Sequence, residues 1–193
     1  MRRIVSKFEE EKKSKRNQFI IGGILMFIMI ISTLGYAFQS QLFDNTGSSV
    51  QSIIYNGINF TSQNGFWTAN YAGQQLIFAN LPTQIPESDL SNLTKRLSDF
   101  SNKSLYIYSE DSGSESEIRI NLAPFAKDIN NACPEGIQCN QDFPVKNCDD
   151  NFIIILAGNE SVSQEKNCIF IYGQTDNLIN TVDNVLFRIL GIR

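Results

Sequence analysis

From Phe19 to Phe38 the chain reads FIIGGILMFIMIISTLGYAF, twenty residues without a charged side chain. At about 1.5 Å per residue, a helix of that length covers roughly 30 Å, the thickness of a bilayer's hydrocarbon core. The run predicts one N-terminal transmembrane helix over residues 19–38. Tyr36 suits headgroup depth at one end, while Lys15 and Arg16 flank the other and can reach lipid phosphates. Gly22 and Gly23 stand too close together for the small-xxx-small packing motif, and no intramembrane charge marks an ion or proton path. The helix reads as an anchor.

Charge sets its orientation. Residues 1–18 hold seven basic side chains against three glutamates, whereas the sequence beyond the span holds nine basic against seventeen acidic. Lysine and arginine concentrate on the cytoplasmic side of membrane spans. The bias predicts a basic cytoplasmic tail over 1–18 and a long C-terminal part outside. Within the tail, Glu9 and Glu11 stand four residues before Lys13 and Lys15, a spacing that supports a short helix or a flank resting on anionic lipid. The same residues allow two other fates for the N-terminus. Gly35 and Ala37 could serve a signal peptidase cutting after Ala37, although the apolar run is longer than an ordinary signal core. A pilin-like helix would be trimmed at its cytoplasmic edge, but KRNQFIIGG lacks the small residue before the cut and the early glutamate.

Cys133, Cys139, Cys148 and Cys168 all follow the span. An even count in an exported segment predicts two disulfides. Three pairings are possible; the spacing favours Cys133 with Cys139 around the Pro-Glu-Gly turn of CPEGIQC, and Cys148 with Cys168 between neighbouring strands. A four-thiolate zinc site is the alternative, disfavoured because no CxxC knuckle is present; the same absence argues against a thioredoxin-like centre. N-x-[ST] sequons at Asn59, Asn92, Asn102 and Asn159 are compatible with export, but so asparagine-rich a chain produces several by chance.

Residues 39–51, QSQLFDNTGSSVQ, read as a linker to an extracytoplasmic domain over 52–193. IIYNGINF, FWTANY and QQLIFANLP are three β-rich runs divided by Asn-Gly and Gly turn signals. Leu90, Leu93, Leu97 and Phe100 recur at helical intervals and predict a helix over 87–99. LYIYS predicts a strand at 105–109, EDSGSESE an acidic loop, EIRINL a strand, and 124–132 a short helix opened by Pro124. FIIIL at 152–156 reads as a buried strand with CIFIYG at 168–173 as its antiparallel partner. The ending DNLINTVDNVLFRILGIR predicts an amphipathic helix with Asp176 as N-cap and Gly191 as its stop. The expected fold class is α+β, a mixed β-sheet with amphipathic helices mainly on one face, preceded by the transmembrane helix.

The segments MIISTLGYAF, YNGINFTSQNGFWTANYAGQQLIFANLP and KNCIFIYGQTDNLINTVDNVLFRILGI resemble a group of uncharacterised archaeal single-span membrane proteins with an exported α+β domain. The resemblance covers most of the chain and contains no catalytic motif. It implies an archaeal exported domain and assigns a role to no residue.

The chain has no histidine, which closes Ser-His-Asp and Cys-His catalysis, His-ligated zinc and imidazole acid–base steps. No GxSxG, glycine-rich phosphate loop or HExxH occurs. Asp149 and Asp150, with Glu135 or Asp142, could form a carboxylate pair of the glycosidase kind, but neighbours on a strand face opposite ways and a polar turn is the simpler reading. Glu110, Asp111, Glu115 and Glu117 fail the EF-hand pattern and read as a solvated loop. Trp67 and Tyr71 would suit a partner or glycan contact if exposed, although a tryptophan in such a strand belongs more often to the core. The acidic exterior argues against nucleic acid.

The expectation is therefore a single-pass, membrane-anchored extracytoplasmic binding or assembly domain. It would not be an enzyme and would need no cofactor or metal. Its partners would be the lipid bilayer through residues 19–38 and other membrane or envelope proteins. A pilin-like filament subunit is the first alternative, and a carboxylate-dependent extracytoplasmic hydrolase the second.

Overall fold

The computed structural model describes Met29, residues 51–139 and residues 142–193. The tail, the span apart from Met29, and the linker apart from Gln51 lie outside the described residues; Val50–Arg193 is one compact unit. Among the described residues no helix is long and apolar enough to cross a membrane.

Four strands open the domain as an antiparallel meander: β1 (Ser52–Tyr55), β2 (Ile58–Gln63), β3 (Phe66–Tyr71) and β4 (Gln74–Phe78). Each connection is a two-residue turn, Asn56-Gly57, Asn64-Gly65 or Ala72-Gly73, with positive φ at both positions. Such turns match the twist of paired strands, and asparagine and glycine accept that backbone at least cost. The expected three runs are thus four strands, because the Asn-Gly inside IIYNGINF is itself a turn. Side chains alternate across the sheet, and Phe60, Trp67, Ala69, Leu76 and Phe78 form its buried face.

A one-turn helix α1 (Leu97–Phe100), then β5 (Ser104–Ser109), α2 (Ser112–Leu122) and β6 (Asp128–Asn131) come next. Beyond them lie the short pair β7 (Cys133–Pro134) and β8 (Val145–Lys146), then β9 (Phe152–Ala157), β10 (Ser161–Glu165), β11 (Cys168–Gly173) and α3 (Leu178–Leu190). The second sheet has the order β10-β11-β9-β5-β6, with all neighbours parallel except the edge strand β10. The domain is α+β, but it has two principal sheets where one was expected. The helices fill the layer between them: α2 touches β4 and β5, α3 touches β11, and the Phe187 ring of α3 lies 4.9 Å from that of Phe78 on β4. Ten of the thirteen residues of α3 are consequently buried, as befits a helix covered on more than one side. Its approach to β11 requires Gly173, where a Cβ would stand 2.8 Å from Leu178 Cδ1 and 3.2 Å from Leu178 Cα.

Several expected elements take another form. Residues 87–96 are irregular, and only Leu97–Phe100 is helical. Gln164 Oε1 on β10 accepts the backbone N–H groups of Thr94 and Lys95, so this segment straps onto the sheet instead of bonding to itself, while Leu93 and Phe100 still reach the core. The acidic loop and the strand EIRINL are together α2. Asp111 caps it by accepting the Ser114 N–H at 2.7 Å, and Arg119 pairs with Glu115 at 2.8 Å one turn apart. The helix expected from Pro124 is a turn followed by β6. β11 runs parallel to β9, not antiparallel, because β10 descends first and returns the chain through a tight turn at Lys166 and Asn167. The N-cap of α3 is Asn177 instead of Asp176, and Gly191 ends the helix in the left-handed conformation.

Candidate functional site

In open parallel sheets, ligands settle beyond the carboxyl ends of the strands, where the chain order switches direction. That switch occurs here at β5. The chain leaves β5 through α2 to β6 on one side, then crosses to β9 on the other. A crevice of about 450 Å³ opens at this place, lined by Tyr108, Ser109, Glu110, Ser112, Glu115, Asn131, Cys139 and Phe143.

Each wall has a local cause. Ser109 ends β5 and locks the turn into α2, its hydroxyl donating to the Asp111 carbonyl at 2.7 Å and accepting the Asp111 N–H at 3.1 Å. Glu110 Oε2 accepts the Ala157 N–H at 3.0 Å, joining the ends of β5 and β9. Arg119 pairs with Glu115, donates to the Ile129 carbonyl at 3.1 Å and donates to Asn131 Oδ1, which orients the asparagine at the end of β6. The fourth wall comes from Cys139, which ends the loop closed by the Cys133–Cys139 disulfide, and from Phe143 farther along the chain.

The chemistry on offer is hydrogen bonding beside two aromatic rings. Both carboxylates already hold a partner, Glu110 a backbone amide and Glu115 a guanidinium, and the Ser109 hydroxyl is spent on the backbone. A preorganised polar crevice of this kind orients a bound group without supplying a nucleophile activated by a base.

Of the residues singled out from sequence, Glu135 and Asp149 line one cavity of about 550 Å³ beside the Cys148–Cys168 disulfide, and the others fall elsewhere in the domain. The disulfides are Cys133–Cys139 and Cys148–Cys168, so no thiolate remains for zinc. Asp149 lies 3.1 Å from Lys166 and Asp150 3.2 Å from Lys146, so each pairs with its own lysine. Of the supposed solvated acidic loop, Asp111 is a helix cap and Glu117 is buried. Trp67 is core, and Tyr71 donates its hydroxyl proton to the Leu190 carbonyl at 2.5 Å. All four sequon asparagines are exposed. Tyr108, Ser112, Asn131 and Phe143 were not legible as site residues. The signal that could have found them is the helix-spaced series Ser114, Glu117, Ile118, Asn121, Leu122, which identifies α2 and with it the β5-α2-β6 crossover.

A second group hidden from sequence reading lies where the helices meet β4. Asn121 imitates a strand: its Oδ1 accepts the Ile77 N–H at 2.9 Å and its Nδ2 donates to the Ile77 carbonyl at 2.6 Å. Glu117 Oε1 accepts the Ala79 N–H at 2.9 Å, and Asp183 Oδ2 accepts from both the backbone and side chain of Asn80. Burial raises the Glu117 carboxyl above its ordinary value, opposed by hydrogen bonds from Asp183 and Ala79. Asp183 is pushed up to about 9, first by burial and then by the charge of Glu117 and the hydrogen bond to it. Asp183 Oδ1 is buried with no hydrogen-bond partner among the described residues, so a proton on that oxygen spares the site a second uncompensated charge beside Glu117. Side chains of two helices thereby close the edge of the meander that would otherwise expose unpaired amides.

Comparison with protein-family models, with curated proteins and with solved structures gives no match for this chain.

Proposed function

We propose that the chain is a single-pass, membrane-anchored binding or assembly domain. Residues 19–38 serve as the anchor, the α+β domain stands outside the cytoplasm, and the protein is not an enzyme. Its partner is another membrane or envelope protein, a segment of which enters the crevice at the carboxyl ends of β5 and β6. The observation that carries this reading is the crevice itself: it occupies the place where parallel sheets receive ligands, and its carboxylates and Ser109 are already committed to holding its shape. Two disulfides support an oxidising compartment, and the basic tail before the apolar run supports the orientation.

The test is photo-crosslinking in native membranes, with p-benzoylphenylalanine replacing Ser112 at the crevice or Gln75 on the outer face of the meander. The reading expects a discrete adduct with a membrane or envelope protein from position 112 and none from position 75. Identical adducts from both positions, or none from position 112, would overturn it.

A further inference from the structure

Away from the crevice, α3 and the strap before α1 line a second, open cavity of about 260 Å³, whose lining includes Glu87, Ser88, Leu90, Asn184, Arg188 and Arg193. We infer that it is a binding site for a monoanionic carboxylate, received by the guanidinium of Arg188.

The two arginines are unequally satisfied. Arg193 has a hydrogen-bond partner on each Nη: one donates to Asn184 Oδ1 at 2.7 Å and the other to the Pro82 carbonyl, while its Nε is buried without a hydrogen bond and lies 3.6 Å from the Glu87 carboxylate, an ion pair. The Arg188 side chain makes no hydrogen bond or ion pair among the described residues, and its Nε is buried from solvent. A guanidinium cannot shed its charge, and a buried N–H without an acceptor is a rare and costly arrangement. The remaining polar groups of the wall do not relieve it. Asn184 gives its Nδ2 to the Pro86 carbonyl and to Ser88 Oγ, and Ser88 in turn donates to Glu160 at 2.9 Å. These bonds tie the strap to α3, and Arg188 is the lining cation whose guanidinium has neither a hydrogen bond nor an ion pair among the described residues.

The surroundings select among anions. A carboxylate matches the planar fork of arginine and brings a single charge. Glu87 in the lining, and Glu160 bonded to Ser88, disfavour a dianion such as phosphate or sulfate by like-charge repulsion. Leu90 supplies an apolar wall for a short carbon chain behind the carboxyl group. The carboxylate can come from a free small acid or from the C-terminus of a peptide.

The test uses full-length protein in detergent micelles with ¹⁵Nε-labelled arginine, which gives a spectrum of seven Nε–H groups. Arg188→Lys removes one signal and so assigns it. Sodium acetate is titrated against sodium sulfate and sodium phosphate at matched ionic strength, with acetyl-Gly-Gly as the peptide acid and its amide as control. The expected result is a saturable shift of the Arg188 signal with acetate, at least severalfold weaker with sulfate and phosphate. The acetate-induced rise in Tm should require about tenfold to a hundredfold more acetate in Arg188→Gln, the worth of a charged hydrogen bond. Tighter binding of acetyl-Gly-Gly than of acetate, with none of its amide, assigns the site to a peptide terminus; the reverse order assigns it to a free acid. An Arg188 signal that does not move, or that moves linearly and equally with every salt, would overturn the inference, as would an equal acetate effect on Tm in wild type and Arg188→Gln.

Discussion

Replacing Asp183 with asparagine should stabilise the domain, and by an amount that grows with pH. The Asp183 side chain is fully buried on α3, its Oδ2 taken up by Asn80 and its Oδ1 left to carry the proton. Burial, followed by the neighbouring Glu117, raises its pKa from the ordinary 3.8 to about 9. Below both values the folded and unfolded chains each hold the proton, and the arrangement costs nothing. Between them only the folded chain holds it, so stability falls as pH rises through the interval, by about 1.4 kcal/mol per pH unit for one proton. From pH 5 to pH 8 this amounts to roughly 4 kcal/mol, an upper bound if the pair relaxes on ionisation. Asparagine has nearly the same shape and no proton to lose. Its Oδ1 can accept from Asn80 and its amide can donate to Glu117, so Asp183→Asn should flatten the curve and gain most at pH 8. Urea unfolding at pH 5, 6, 7 and 8 is the assay, followed by fluorescence of Trp67, the chain's one tryptophan, which is only 7% exposed. A variant with the same pH slope as wild type, or one less stable than wild type at pH 8, would rule out a proton held on Asp183.

Two further outcomes rest on the same packing. Replacing Cys148 and Cys168 with serine reopens a loop spanning a separation of twenty residues and should cost about 3 kcal/mol in the chain-entropy model, read as a lower urea midpoint under non-reducing conditions. Asn121→Ala strands the Ile77 N–H and carbonyl at the meander edge and should cost about 1–3 kcal/mol for each group left unpaired, with Asn121→Leu no better, since volume without hydrogen bonds does not replace them.

The parts legible in the sequence were those specified locally. Asn-Gly dipeptides announce the meander turns, FIIIL announces a strand buried on both faces, and Gly191 ends a helix whose apolar stripe is visible by inspection. What escaped reading depends on partners far along the chain. The inner stripe of α2 includes Ser114, Glu117 and Asn121, polar residues that look solvated until β4 and Asp183 are in place to meet them. The stripe from Leu90 to Phe100 keeps Leu93 and Phe100 in the core but not its helix, because Gln164, some seventy residues later, takes the backbone amides. The direction of β11 relative to β9 rests on a hairpin whose first strand, SVSQE, is polar enough to pass for a loop. The crevice could be found only once the β5-α2-β6 crossover was known.

Whether the chain is an anchored assembly domain is decided by a quantitative pull-down of full-length protein from gently solubilised native membranes, with intact mass determined on the same sample. Wild type is compared with Ser112→Trp, which fills the crevice from an exposed position at the start of α2. The anchored-domain reading predicts an uncut N-terminus and a specific membrane or envelope protein that accompanies wild type and is lost from the folded variant. A trimmed N-terminus in a homopolymer, or the same companions with and without the crevice, would contradict it.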